Sequence, residues 1–320
     1  MGRLLAPTGR RLDPTGRLLD RLKAPSDGIV AASDARVAIG GQLSWHDAGH
    51  HIRIPDPAAG TLAMHAVTLG KGPDLLLLHG FVQASWAWRH NLDALAEHFT
   101  VHALCVPGFG WSDKPERSSF RLIDQARRVL TWMDCMAIER AHLVGNSLGA
   151  ALALQIAALA PDRVDRLALV NPAGVGNYPM AWLARLQRRA WAPLLALPGV
   201  PFGLKLGLRY AAYAKLPIDD AYMAHFLAPL GTPGASTAAL AVARHYNADL
   251  AALDRRLRGI LHPTLILRGG ADRVMPEAVV WRVANGLHDA RVERFEGSGH
   301  CPMEEEPARF NRTLLAFLRG

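Results

Sequence analysis

From about His50 to the end of the chain, short runs of β-forming residues alternate with runs of helical periodicity. Apolar strands that are joined by helices belong to a predominantly parallel sheet whose two faces are both covered. Eight strands are predicted, at 51–55, 62–69, 74–78, 100–105, 141–145, 166–170, 264–267 and 291–295. Helices are predicted at 91–98, 120–136, 148–159, 276–287 and 307–318, the second capped by Ser119. The fold class is therefore expected to be α/β, with a mostly parallel eight-stranded sheet.

The alternation stops at Asn171 and resumes at Pro263. Residues 174–258, which we call the insertion, show helical periodicity that prolines interrupt, and no convincing strand. Helices inserted between two strands of one sheet are expected to form a lid over the strand ends, where such folds bind ligands. The predicted domains are an N-terminal extension at 1–45, a core at 46–173 and 259–320, and a helical cap at 174–258.

The composition favours a compact enzyme-sized body, because half of the 320 residues are hydrophobic and one fifth are charged. The net charge of +8 comes from arginines scattered along the chain, without a basic stripe that carries interleaved aromatic residues, so we expect no nucleic-acid partner. Three cysteines, Cys105, Cys135 and Cys301, are too few and too far apart for a disulfide framework or a CxxC metal site.

The first 45 residues differ from the rest of the chain. Pro7, Pro14 and Pro25 prevent one long helix. The basic stretch at 17–23 leaves two alternatives open, a solvated tail or a short amphipathic turn in weak contact with a membrane surface or a partner. The sequence lacks an apolar run of the roughly 18 to 20 residues that span a membrane and shows no secretory signal pattern. We therefore expect a cytoplasmic protein without a membrane span.

The sharpest local signal is G-x-S-x-G at Gly145, Ser147 and Gly149, between an apolar strand and a helix. A chain that turns this sharply needs glycines on either side of the serine, since side chains there would collide with the neighbouring strand and helix. The turn would hold the serine oxygen at the carboxyl edge of the sheet, and the helix N-terminus would favour developing negative charge. Ser147 is the predicted nucleophile.

A serine hydroxyl is a weak nucleophile at neutral pH and needs a base. His300 follows the last strand in a glycine-rich loop, which suits that role. The base needs an acid to fix its tautomer, and Asp272 follows the strand at 264–267, in the chain order Ser, Asp, His. Asn171 occupies the rival position for the acid and cannot supply a charge. The Glu304, Glu305 and Glu306 run is expected to stabilise the N-terminus of the last helix.

A tetrahedral oxyanion needs hydrogen-bond donors. The backbone N–H groups of Leu148, directly after the nucleophile, and of Phe81, after the third strand, are the expected pair. His79 lies beside Gly80 at the end of that strand. Its position indicates a loop-fixing hydrogen bond more than a catalytic role.

These motifs together resemble the α/β-hydrolase superfamily. They are the segments 78–81, 106–115 and 145–149 and the loops of Asp272 and His300, and the similarity runs from about 51 to 320. More narrowly, the chain is similar to the branch of small esterases, meta-cleavage-product C–C hydrolases, epoxide hydrolases and haloalkane dehalogenases. The last two classes place an aspartate where this chain has Ser147. The C–C hydrolases commonly have tryptophan after the catalytic histidine, where this chain has Cys301.

Three functions follow from this reasoning. The leading one is hydrolysis of an apolar carboxylic ester with a short to medium acyl chain, without any cofactor or metal. Some aromatic residues of the insertion are expected to line the acyl pocket, from the set Trp182, Trp191, Tyr210, Tyr213, Tyr222 and Phe226. The alternatives are C–C bond hydrolysis of the meta-cleavage-product type and a non-catalytic ligand-binding or accessory protein. The oligomeric state stays open.

Overall fold

The computed structural model describes residues 49–116, 118–175 and 200–320, so the N-terminal extension lies outside it. One eight-stranded sheet has the order β1-β2-β4-β3-β5-β6-β7-β8. The β1–β2 and β2–β4 pairs are antiparallel and the other five pairs are parallel. The strands are β1 (His50–Asp56), β2 (Gly60–Leu69), β3 (Asp74–Leu78), β4 (Thr100–Leu104), β5 (Ala141–Asn146), β6 (Val164–Val170), β7 (Thr264–Gly269) and β8 (Ala290–Phe295). The predicted fold class is confirmed.

The helices connect these strands and cover both faces of the sheet. In chain order they are α1 (Leu92–Ala96), α2 (Leu122–Cys135), α3 (Leu148–Leu159), α4 (Val200–Gly207), α5 (Asp220–Leu227), α6 (Ala235–Asp254), α7 (Glu277–Gly286), α8 (Pro302–Glu305) and α9 (Pro307–Arg319). A π-helical turn, Leu208–Ala212, follows α4. Helices α4 to α6 belong to the insertion, whose described part contains no strand.

The alternating side chains of the central strands separate two apolar cores. On β3, Leu76 and Leu78 pack with residues of α2, α3, α6 and α7 on one face. Leu75 and Leu77 pack on the opposite face with residues of α1 and α9. Because both faces are covered, the central strands β5 and β7 are buried at every position and not only at alternate ones. The carboxyl ends of the parallel strands lie at one edge of the sheet, where the loops can carry polar side chains.

The helix α2 begins at Leu122, and its cap differs from the prediction. The residue directly before the helix is Arg121 and not Ser119. The Ser119 hydroxyl donates to Asp124 at 2.6 Å. The carboxylate of Asp249, on α6, accepts the Leu122 N–H at 2.8 Å. It also accepts from Nη2 and Nε of Arg121, at 2.7 and 2.9 Å. A carboxylate from a remote part of the chain thus satisfies the first turn of α2. It also fastens the insertion to the core.

Across the described residues no single helix is long and apolar enough to cross a membrane. One bent pair, Asp220–Gly231 with Ala235–Asp254, satisfies the length and composition criteria when its two parts are taken together.

Candidate active site

Ser147 lies in the turn between β5 and α3, with φ 54° and ψ −114°. This backbone conformation is unusual for a residue that is not glycine. A Cβ atom on Gly145 would lie 2.3 Å from the Gly149 carbonyl oxygen, and one on Gly149 would lie 2.2 Å from the Leu78 carbonyl oxygen. Both glycines are therefore required for the strand and helix to approach, as expected from the sequence.

His300 lies in the loop after β8, and its Nδ1 is 2.8 Å from the Asp272 Oδ2. Since a carboxylate only accepts, the imidazole proton is on Nδ1 and Nε2 carries the free lone pair. The other carboxylate oxygen of Asp272 accepts the N–H groups of Val274 at 2.7 Å and Met275 at 3.0 Å. Both side chains are buried, so this pair is held in one orientation.

Two asparagines hold the backbone of His300 in place. The side-chain amides of Asn146 and Asn171 donate to the His300 carbonyl oxygen at 3.1 and 3.0 Å. Asn146 directly precedes Ser147, so one hydrogen bond joins the serine turn to the histidine loop. The Asn171 Oδ1 accepts the N–H of Gly269 at 3.1 Å, so Asn171 also joins the end of β7 to the histidine loop. The three predicted residues Ser147, Asp272 and His300 thus belong to segments that meet at one edge of the sheet.

Arg268 is a buried cation behind the acid, and the sequence reasoning did not identify it. Its Nη1 lies 3.6 Å from the Asp272 Oδ2 and 3.2 Å from the Asn171 Oδ1. A buried carboxylate needs such a partner because desolvation disfavours its charge. The signal available in the sequence was an arginine on an otherwise apolar strand.

The loop after β3 is fixed by side-chain hydrogen bonds. His79 donates from Nδ1 to the Gly80 carbonyl oxygen at 2.8 Å and accepts the Val106 N–H at Nε2 at 3.0 Å. Both ring nitrogens are therefore engaged by the backbone, which agrees with a loop-fixing role. The Gly80 N–H donates to Gln83 at 2.9 Å. Phe81 follows in this loop.

Leu148 is the first residue of α3, directly after the serine turn. The first N–H groups of a helix have no acceptor within the helix, so the Leu148 N–H is available to a ligand. A Cβ atom on Gly80 would lie 3.4 Å from the Ser147 Cβ. The loop that carries Phe81 thus runs beside the serine, as an oxyanion hole made of Phe81 and Leu148 would require.

A small apolar cavity of about 30 Å³ adjoins this region. Gly80, Phe109 and Leu148 line it from the core, and Val242 and Tyr246 line it from α6 of the insertion. The aromatic residues predicted for an acyl pocket lie elsewhere: Tyr213, Tyr222 and Phe226 are buried against the other core, Tyr210 is exposed, and Trp182 and Trp191 lie outside the described residues.

The glutamate run does not serve only the last helix, which corrects the sequence expectation. Glu304 is buried in the short helix α8. Its carboxylate accepts from Arg89 at 2.5 Å and from the Tyr213 hydroxyl at 2.7 Å. Burial raises the pKa of Glu304, and the Arg89 charge opposes that shift. The prediction for Glu304 failed because it rested on the position of Glu304 before the last helix, whereas the side chain points into the protein.

Buried histidines predict how stability depends on pH. Burial lowers the pKa of His79 and of His50 from 6.5 to about 4, with neighbouring histidines adding to the effect at His50. Stability from these groups is complete above pH 6.5 and is lost as the pH falls toward 4, because the unfolded chain takes up the protons first. At pH 4 each histidine should cost about 3 kcal/mol of unfolding free energy.

Urea unfolding between pH 4 and 7.5 measures this effect. His50→Gln, which cannot titrate at this position, should lose the His50 contribution, about 3 kcal/mol of the difference in unfolding free energy between pH 7.5 and 4. His288→Gln, at an exposed position, should retain all of it. An unfolding free energy that is equal at pH 4.5 and 7 would contradict the assignment of these two histidines as buried and neutral.

Among the described residues, no group of three or more His, Cys, Asp or Glu side chains is arranged to hold a metal ion.

A family model for the alpha/beta hydrolase fold matches residues 73–307. An uncharacterized protein of Mycobacterium bovis is 32% identical over 263 residues, which cover 78% of this chain and 76% of that protein. The 2-hydroxymuconate semialdehyde hydrolase of Pseudomonas sp. (strain CF600) is 29% identical over 265 residues, with 78% and 88% covered. A crystal structure of a membrane phospholipase A, described as a bacterial virulence factor, matches with a TM-score of 0.70 and 28% identity, over 90% of this chain and 89% of that one.

Proposed function

This chain belongs to the alpha/beta hydrolase family, and from that membership we propose that it is a serine hydrolase that cleaves carboxylic esters. Hydrolysis is the activity that the family supports. The observation that carries the proposal is the 2.8 Å pair of His300 and Asp272, held at the same sheet edge as the strained turn of Ser147. Such an arrangement serves to activate a serine hydroxyl.

The reaction would proceed through an acyl-enzyme. The Ser147 oxygen attacks the ester carbonyl while His300 Nε2 takes its proton, and Asp272 stabilises the imidazolium that forms. The N–H groups of Phe81 and Leu148 would bind the oxyanion. His300 then gives its proton to the departing alcohol, and a water molecule attacks the acyl group in the same way. The products are a carboxylic acid and an alcohol, and the scheme needs no cofactor.

The cavity beside Leu148 supports the proposal that the acyl group is short and apolar. Its volume of about 30 Å³ has room for about two groups the size of a water molecule. On a panel of p-nitrophenyl esters, we expect kcat/KM for the acetate and butyrate to exceed that for the decanoate at least about tenfold. A preference for charged or very long acyl groups would contradict this assignment.

A variant pair tests whether α6 limits the acyl group. Val242→Ala enlarges the cavity on the insertion side and should shift the preference toward longer esters. Val280→Ala removes the same atoms from a buried position on α7 and should leave the preference unchanged. An equal shift of the chain-length preference in both variants would show that Val242 does not limit the acyl group.

Cleavage of a C–C bond is the second candidate, favoured by the 29% identity to a 2-hydroxymuconate semialdehyde hydrolase. The same three side chains could perform it. Cys301 after the histidine, in place of the tryptophan common in that class, and the 28% identity to a phospholipase structure favour the ester. Comparing turnover of p-nitrophenyl esters with that of a meta-cleavage dienoate decides between them, since faster dienoate turnover would overturn the ester proposal.

A further inference from the structure

Glu305 bridges the histidine loop and the insertion. One carboxylate oxygen accepts the N–H of Gly299 at 2.7 Å, directly before His300. The other accepts the N–H groups of Ala214 and Lys215, at 2.7 and 2.8 Å. Both oxygens of one side chain are therefore used to join two segments that lie about 85 residues apart in the sequence. Charge-assisted hydrogen bonds of this kind are the strong ones.

Further contacts join the same two segments. The His300 N–H donates to the Ala212 carbonyl oxygen at 2.6 Å. A Cβ atom on Gly299 would lie 2.5 Å from that oxygen, so the two backbones are in direct contact and leave no room for a side chain between them. The Tyr213 hydroxyl donates to Glu304 at 2.7 Å. Residues 212–215 of the insertion and the histidine loop are thus packed as one unit.

We propose that Glu305 is a positioning residue for His300, which ties the place of the base to the position of residues 212–215 in the insertion. This inference rests on the proposed role of His300 as the base. Glu305 acts through the Gly299 N–H, directly before His300, and has no part in the chemical steps. A displacement of residues 212–215 would move the histidine loop relative to the Asp272 carboxylate, which the N–H groups of Val274 and Met275 hold in the turn after β7. The alignment between imidazole and carboxylate would then be lost.

Glu305→Gln tests the inference because an amide has only one acceptor oxygen. Whichever way the amide turns, its NH₂ group faces backbone N–H groups, so one of the two segments is released. We expect the rate constant for labelling of Ser147 by a fluorophosphonate to fall about 10- to 100-fold, since displacements near 1 Å have effects of that size. In proton NMR spectra, the downfield resonance of the His300 Nδ1 proton should shift or broaden.

Glu296→Gln is the matched control. Glu296 lies in the turn after β8, its side chain is 73% exposed, and it pairs with Arg294 at the surface. This variant should label at the wild-type rate and keep the His300 resonance. If Glu305→Gln does not fold, Glu305→Asp decides, because the shorter side chain keeps the charge but cannot reach both segments.

The outcomes separate this inference from the proposed function. A folded Glu305 variant with the wild-type labelling rate and an unmoved resonance would overturn the positioning role. Wild-type protein that is folded but not labelled would overturn the serine hydrolase itself. Slow labelling of the variant with an unmoved resonance would also count against the inference, because the effect would then not pass through the imidazole.

Discussion

Replacing Ser147 by alanine is expected to lower kcat for ester hydrolysis about 10⁶-fold. The acyl-enzyme cannot form without the hydroxyl, and only the oxyanion donors and substrate binding remain to act on an attacking water. Turnover of p-nitrophenyl butyrate measures the effect. KM should change far less than kcat, since the hydroxyl contributes to bond making more than to substrate binding.

Ser119→Ala provides the control, because Ser119 is exposed and its hydroxyl binds Asp124 near the start of α2. Its activity should match that of the wild-type protein. If Ser147→Ala retained wild-type turnover, Ser147 would not be the nucleophile, despite its strained backbone.

The second large effect is expected for Asp272→Asn, with kcat about 10⁴-fold lower near neutral pH. The amide can donate to Nδ1, which would place the imidazole proton on Nε2 and leave no lone pair facing the serine. The structure adds a second reason, since the neutral amide leaves the Arg268 guanidinium, 3.6 Å away, without its buried counter-charge.

Asp289→Asn makes the same chemical change at an exposed position and should leave kcat unaltered. Thermal unfolding of both variants separates catalysis from stability. If Asp272→Asn were folded and as active as the wild-type protein, another group would have to orient His300.

The sheet and the serine turn could be predicted from the sequence because their signals are local. Apolar runs define β3 and β5 in any context, and the spacing of Gly145, Ser147 and Gly149 specifies one sharp turn. The positions of His300 and Asp272 followed from the order of elements in this architecture. Their roles, the cytoplasmic location, the domain limits and the partners stay predictions.

The supporting contacts could not be predicted, because they join segments that are remote in sequence. Asn171 was recognised only as a position without a charge, yet its amide joins β7 to the histidine loop. Ser119 has the residue type of a helix cap, but Asp249 from the insertion takes that role. Glu305 looked like one of three equivalent glutamates. In each case the role depends on a hydrogen bond between remote segments, which no local sequence pattern specifies.

Trapping of the covalent intermediate tests the central claim most directly. The protein is mixed with p-nitrophenyl acetate, quenched in acid during the first turnover, digested and analysed by mass spectrometry. We predict an acetyl group on the peptide that contains Ser147, and none on that peptide in Ser147→Ala. Acetylation of a different residue together with undiminished turnover by Ser147→Ala would contradict it.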